Sequence, residues 1–398
     1  MVARRAKALW TAVGQPSRFE VCEVGAGNGQ LCLDVLTAAM AEAADGGSWR
    51  RFDRALSYRI FEKSSSLRQR QRQQLGLLAK RVEWNEADLS ADGARIRPRR
   101  AGLVVANEVL DCLAHDKVVL GRDGVFRVAF VGALAPESEA APPPRGVPRL
   151  LTQKAMQRAL RRGDRLELRE FLVPIDETPE VVAFLERHYP LRRTTHAAGS
   201  LPWTYFACPA IETFVTNVGG LYAASEILLI DYGGGREYHL LTPGARRIAA
   251  GRPEERTATP YRAPGRDDIT FLVDFSVAIA AAEHAGLVKR FYGPQGRLAA
   301  LSRVRLGADA VRRIIAHRAL GWLLAVSGVG PEKLQRSSAV SWKRLEGRPR
   351  TKTVAQEARE AVDEFLGRRK SAFQLLLLRT PPQASRAGAG QRQAGASR

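Results

Sequence analysis

The stretch from Phe19 to Asp34, FEVCEVGAGNGQLCLD, constrains the fold more than any other part of the chain. A short apolar, β-branched run, Phe19 to Val24, leads without a break into Gly25-Ala26-Gly27-Asn28-Gly29. Leu31, Leu33, Val35 and Leu36 then open a helical pattern that runs to Met40. Strand, glycine turn and helix form the opening unit of a doubly wound α/β sheet. Glycines at alternating positions permit φ > 0 and bring backbone close to a ligand. The dinucleotide fingerprint G-x-G-x-x-G requires a third glycine where the helix packs on the strand. Here that position is Gln30, and the pattern is E-x-G-x-G-x-G from Glu23 to Gly29.

The departure has a chemical meaning. A pyrophosphate seeks a helix N-terminus, whereas S-adenosylmethionine offers a methionine zwitterion, a ribose and an adenine. A glycine turn preceded by an acid suits an ammonium group and ribose hydroxyls, so Glu23, Gly25, Gly27 and Gly29 are expected to hold that cofactor. The plain alternative is a βα turn with no ligand.

The rest of the chain continues the alternation. Leu56 to Glu62 reads as strand two ending on an acid, and an acid at that tip accepts hydrogen bonds from ribose hydroxyls. Ser66 to Leu78 reads as a helix and Val82 to Trp84 as a short strand three, with Asp88 in the loop beyond it. Asp88 either meets the adenine amino group or is a simple loop acid. Ala101 to Ala106 is wholly apolar, as a buried parallel strand four should be, and it runs into Asn107-Glu108-Val109-Leu110-Asp111. Ligands of open α/β sheets bind beyond the carboxyl ends of the strands, so Asn107, Glu108 and Asp111 are placed for a substrate. If a helix starts there, Glu108 and Asp111 share a face and can clamp a guanidinium or hold an ammonium. N-capping by Asn107 beside a solvated acid pair is the competing reading.

Residues 1–135 form the cofactor half of the fold on this reading. A linker and insertion follow over 136–210, containing Pro142-Pro143-Pro144 after a hairpin around Arg122-Asp123-Gly124. The remainder of the domain covers 211–380, and 381–398 is a low-complexity tail. Ala41 to Arg54 reads as a loop and Ile211 to Ala224 as helix. Glu226 to Asp231 reads as strand five, Thr242 to Arg266 as a long loop, and Val288 to Tyr292 as strand six. Helices are expected at 308–326 and 352–366, and Ala372 to Leu378 as a closing strand that inserts antiparallel beside strand five.

The apolar fraction, 45%, supports a full core in a chain of 398 residues, and no apolar run approaches the ~20 residues of a membrane span. Met1 to Trp10 is basic but leaves no room for a removable leader before strand one. Four cysteines without a C-x-x-C pair argue against disulfides and structural zinc and for a cytoplasmic protein. No metal site is expected. The net charge of +21 admits nucleic acid as a partner, but arginine is spread along the whole chain, which favours a solvated basic surface.

Taken together, EVGAGNGQLCLD, FEKSSSLRQRQ, VVANEVLD, LLIDYGG, DDITFLVDF and the closing AFQLLLL resemble, in order, the MidA-like family of S-adenosylmethionine-dependent methyltransferases, which includes the mitochondrial complex I assembly methyltransferase. The resemblance implies a class I methyltransferase fold, a Rossmann-like seven-stranded sheet with a helical insertion. It also implies S-adenosylmethionine as cofactor and methyl transfer to protein arginine. Glu108, assisted by Asp111 and Asn107, would orient the acceptor, with Glu62 on the ribose. Transfer to RNA, and a non-catalytic cofactor-binding assembly factor, are the rival readings. Family members carry a longer segment ahead of strand one, a Leu-Pro-Val piece where this chain has Leu113-Ala114-His115, and a histidine at Phe271 or Leu272.

Overall fold

The computed structural model describes residues 1–44, 46–94, 97–133, 150–162, 164, 166, 168–189, 203–241, 249–250, 261, 269–303 and 373–381. In chain order the elements are α1 (Val2–Ala12), β1 (Phe19–Val24), α2 (Gln30–Ala44), α3 (Gly47–Ala55), β2 (Leu56–Phe61), α4 (Ser65–Leu75), β3 (Val82–Asn85) and β4 (Arg99–Asn107). Next come β5 (Asp116–Leu120), β6 (Phe126–Gly132), α5 (Gln153–Arg162), β7 (Arg169–Pro174), α6 (Pro179–His188), β8 (Trp203–Ala207), α7 (Ala210–Gly219) and β9 (Tyr222–Gly234). The chain continues through α8 (Arg236–Leu241), β10 (Ala249–Ala250), β11 (Ile269–Thr270), β12 (Val273–Asp274), α9 (Phe275–His284), β13 (Val288–Pro294), α10 (Leu298–Leu301) and β14 (Phe373–Arg379). They divide into two compact units. One comprises Met1–Leu110, Thr213–Asp231 and Ile279–Arg398; the other comprises Asp111–Glu212 and Tyr232–Ala278.

The first unit is built on a sheet of order β13-β14-β9-β4-β1-β2-β3. β1 runs parallel to β2 and β4, β2 to β3, and β4 to β9, whereas β13 and β14 are antiparallel. β14 therefore lies beside β9, where the closing apolar run is expected. β1 and β4 are buried along nearly their whole length, as parallel strands covered on both faces must be. On one face, Phe19, Val21, Tyr58, Ile60, Leu103, Val105, Leu375 and Leu377 pack with Ala6, Leu9, Trp10, Leu33 and Leu36 of α1 and α2.

Two expectations fail here, each for a local reason, and one element appears where the sequence reading assigned none. The basic N-terminal stretch is a helix, because Ala3, Ala6, Leu9 and Trp10 recur at helical spacing and are buried. Arg5 anchors it, donating from Nε and Nη2 to the two carboxylate oxygens of Glu226 at 2.6 and 2.9 Å. Ala41 to Arg54 is not a loop. α2 continues to Ala44, and α3 follows with Phe52 fully buried between Trp10 and Trp49, ring centroids 5.5 and 5.7 Å away. One aromatic carries the contact that the surrounding small and polar residues conceal. The helix expected to reach Ala224 ends at Gly219, where Gly219-Gly220 breaks it and β9 begins at Tyr222.

The second unit centres on an antiparallel sheet of order β7-β6-β5-β8. Its hairpin turns where expected, with Gly124 at φ +74° donating to the Gly121 carbonyl at 3.0 Å. The insertion at 136–210, expected to be helical, contributes α5 and α6 but also β7 and β8, which join β5 and β6 in this sheet. Val118, Leu120, Val128, Val173, Trp203, Tyr205 and Ala207 alternate inward along its strands. β10 and β11 form a two-residue antiparallel ladder, and β12 pairs in parallel with Gly233 and Gly234 at the end of β9. α9 closes on Gly286 at φ +72°. The linker 137–148, most of the loop 242–266, the expected helices at 308–326 and 352–366, and the tail from 382 lie outside the described residues.

Candidate active site

The glycine turn sits directly on the tip of β1. Gly25 continues the ladder by donating to the Phe61 carbonyl at 2.9 Å, and Gly29 closes a tight turn onto the Ala26 carbonyl at 2.7 Å. Asn28 Oδ1 accepts from the Gln30 amide at 3.0 Å and so caps α2. Gly25, Gly27 and Gly29 stand at φ +66°, +52° and +86°, the left-handed region that only glycine enters without strain. A methyl group added to Gly27 would meet no atom within 4 Å, so the turn is a cradle with open space above its centre. A methyl at Gly25 would meet Val109 Cγ2 at 2.9 Å, and one at Gly29 would meet Gln71 Cγ at 3.3 Å.

Glu23 does not reach into that cradle. It is 4% exposed, and its Oε2 accepts from the Tyr58 hydroxyl at 2.7 Å. Burial pushes its pKa up to about 7, although the Tyr58 hydrogen bond pulls the other way. Its carboxyl supports the turn from within the sheet.

Glu62, one residue past β2, is fixed by two donors. The Ser64 amide reaches Oε1 at 2.9 Å, and Gln71 Nε2 reaches Oε2 at 3.3 Å. The same Gln71 Nε2 donates to the Gly27 carbonyl at 3.0 Å, and its Oε1 accepts from Trp84 Nε1 at 2.9 Å. A fully buried glutamine of α4 thereby joins the acid at the strand-two tip to the middle of the glycine turn. Asp88 turns its own loop, accepting from the Ser90 amide and hydroxyl and from Lys63 Nζ at 2.8 Å. Partial burial raises its pKa, but those partners outweigh burial and hold the carboxyl below its usual value. These contacts fix Asp88 within its own loop.

Beyond β4 the chain changes direction abruptly. Glu108 extends the ladder by one bond, its amide donating to the Ile230 carbonyl at 2.9 Å, and then adopts φ +53°. Its side chain is exposed, and Asn107 Nδ2 donates to Glu108 Oε1 at 3.1 Å. The next two amides, of Val109 and Leu110, both donate to Oδ2 of Asp231, at 3.1 and 2.9 Å. Asp231 lies in β9 and is fully buried.

The expected helical face shared by Glu108 and Asp111 does not form. A left-handed Glu108 cannot start a helix, and only a three-residue 3₁₀ turn, Leu110–Cys112, follows. Asp111 belongs to the second unit, is 5% exposed, and accepts from the Thr270 hydroxyl at 2.7 Å. In that unit His115 stacks on Phe271 with ring centroids 4.0 Å apart, and its Nδ1 bonds the Leu113 carbonyl at 2.7 Å. Burial pushes its pKa down to about 4, so the ring is neutral at physiological pH. Asp274 is pushed up to about 7 by burial, against the hydrogen bond from the Ser276 amide. Sequence reasoning missed Tyr58 and Gln71, which hold the site's acids and turn; no local pattern marks either. Among the described residues no cluster of metal-ligating side chains exists, and no helix is long and apolar enough to cross a membrane.

A family profile described as "putative S-adenosyl-L-methionine-dependent methyltransferase" matches residues 1–293. Among solved structures, one of a Burkholderia thailandensis protein bound to S-adenosyl-homocysteine is 20% identical, with a TM-score of 0.58, covering 95% of this chain and 74% of that one. A native structure of a protein of the same superfamily from that bacterium is also 20% identical, with a TM-score of 0.56, covering 95% of this chain and 77% of the other. Similarity at that level speaks for the fold. No curated protein matches the sequence.

Proposed function

The chain belongs to this family of S-adenosyl-L-methionine-dependent methyltransferases, and from that premise we propose that its first unit is a class I methyltransferase domain of the MidA-like kind, acting on arginine side chains of proteins. The strand order β3-β2-β1-β4-β9-β14-β13 supports the class I reading. The cofactor fits the residues present. The cradle at Gly27 accepts a ligand that a side chain would exclude, and Glu62 offers a preset carboxylate to ribose hydroxyls. Bound there, S-adenosylmethionine supplies an electrophilic methyl group on a sulfonium. The solved B. thailandensis structure carrying S-adenosyl-homocysteine adds support for that ligand. Four free cysteines support a reducing, cytoplasmic setting.

One observation carries the acceptor role of Glu108. An exposed carboxylate stands one residue past β4, and its neighbour Val109 packs on Gly25 of the cofactor turn. A guanidinium keeps its proton and must be oriented rather than deprotonated beforehand. A carboxylate does this through charge-assisted hydrogen bonds that fix the guanidinium plane, leaving one nitrogen turned toward the methyl group. Asn107 steadies Glu108 for that task. Asp111, engaged with Thr270, is not assigned to the clamp, and Asp88 remains a loop acid.

The test has two arms. Calorimetry with S-adenosyl-homocysteine should show binding to the wild type and weakened binding to Gly27→Ala, whose methyl enters the cradle; equal affinities would refute the cofactor site. Transfer from labelled S-adenosylmethionine into lysate proteins should fall in Glu108→Gln, since losing a charge-assisted pair costs about 1.5–3 kcal/mol, roughly ten- to a hundredfold in rate. Unchanged transfer would refute the clamp, and label recovered on residues other than arginine would refute the acceptor.

A further inference from the structure

The left-handed Glu108 needs something to hold it. A glutamate at φ +53° gains nothing local from that conformation, and neither glycine nor asparagine stands at the position to make it easy. What faces the turn is Asp231. Its carboxylate is fully buried in β9, and one oxygen, Oδ2, takes the amides of both Val109 and Leu110. Those amides follow the left-handed residue at once, and both reach the same oxygen. Without an acceptor there, two N–H groups at the end of a buried strand would be left to find water.

We infer that Asp231 is the positioning residue of the reaction: its carboxylate locks the β4 turn in the one conformation that presents Glu108 to the acceptor and lays Val109 on Gly25. This rests on the acceptor role given to Glu108 above. On this inference Asp231 acts through the backbone amides of Val109 and Leu110. The cofactor turn does not depend on it in the same way. Gly25 and Gly29 are bonded to Phe61 and Ala26, and Gly27 to Gln71, so the cradle keeps its shape when the β4 turn loosens. Losing Asp231 therefore separates the two halves of the site: methyl transfer fails while the cofactor still binds.

Amide hydrogen exchange, cofactor calorimetry and labelled-methyl transfer on the full chain test this with Asp231→Ala and Asp231→Asn. In Asp231→Ala, exchange at Val109 and Leu110 should quicken by about tenfold or more, while amides of β1 keep wild-type protection. Affinity for S-adenosyl-homocysteine should stay within about threefold, and transfer should drop by roughly tenfold or more. Asp231→Asn keeps an acceptor oxygen in place and should recover part of both the protection and the transfer. Unchanged exchange at Val109 and Leu110 overturns the inference. Exchange that quickens evenly across β1, β4 and β9, with affinity and transfer falling together, overturns it too, because that marks a structural residue only. A wild type that binds S-adenosyl-homocysteine yet transfers no methyl group overturns the methyltransferase reading instead; the exchange result then decides by itself whether Asp231 holds the turn.

Discussion

Glu23 stores a pH dependence that a single substitution should expose. Its carboxyl is buried in β1 against the Tyr58 hydroxyl, and burial lifts its pKa from 4.5 to about 7. Between those values the folded chain holds a proton that the unfolded chain has lost. Stability from this group is therefore fully present below pH 4.5 and is lost as pH rises through about 7. At about 1.4 kcal/mol per pH unit the loss amounts to about 3 kcal/mol. Glu23→Gln has the shape of the protonated acid and no charge to bury. Urea unfolding at pH 5 and pH 8, followed by circular dichroism, should find the two proteins within about 1 kcal/mol of each other at the lower pH. The variant should be more stable by about 2–3 kcal/mol at the higher one. Taking the difference between the proteins cancels the titration of all other groups. A gap independent of pH, or a variant weaker at pH 8, would show that Glu23 is ionised in the fold and that Tyr58 outweighs burial. The same variant should keep its affinity for S-adenosyl-homocysteine, since the carboxyl faces Tyr58 and not the cradle.

Two further outcomes follow from the same structure. Gln71→Leu removes hydrogen bonds to Gly27, Glu62 and Trp84; it should cost about 3–5 kcal/mol of stability and shrink the thermal shift given by S-adenosyl-homocysteine, and a full shift would dissociate Gln71 from the cofactor site. The charge of +21 should give only weak RNA binding, without sequence preference, that collapses between about 50 and 200 mM salt; sequence-selective nanomolar binding measured by anisotropy at physiological salt would promote RNA over protein as the acceptor.

Three strands of the first unit, β1, β2 and β4, were legible because each ends on a marked residue. Val24 runs into glycine, Phe61 into Glu62 and Asn107 into Glu108, so strand ends and ligand-side residues were read together. The residues that hold those tips were not legible. Tyr58 lies 35 positions from Glu23, Gln71 lies 44 from Gly27, and Asp231 lies 122 from Val109. Periodicity describes which face a residue takes and is silent about which distant side chain it meets there. The left-handed Glu108 was hidden for the same reason, since its conformation is imposed by a carboxylate on another strand. α3 escaped because one large residue, Phe52, carries most of its buried face.

Strand parity separates the acids held within a strand from those just past its end. Within a strand, alternate residues share a face, so Glu23 points the same way as Phe19 and Val21, both part of the hydrophobic core. An acid there is committed to the layer beneath the sheet, and Tyr58 from the neighbouring strand meets it. Asp231, still inside β9, is committed in the same way and spends its charge on backbone amides. Glu62 and Glu108 each stand one residue past their strand. Glu62 is met there by Gln71, which also bonds Gly27 and so lies level with the cofactor turn, and Glu108 opens to solvent. On the proposed reading, an acid before the last strand residue supports the site from below and an acid just after it faces the ligand, so the E-x-G-x-G-x-G pattern would give its glycines to the cofactor and its glutamate to the floor.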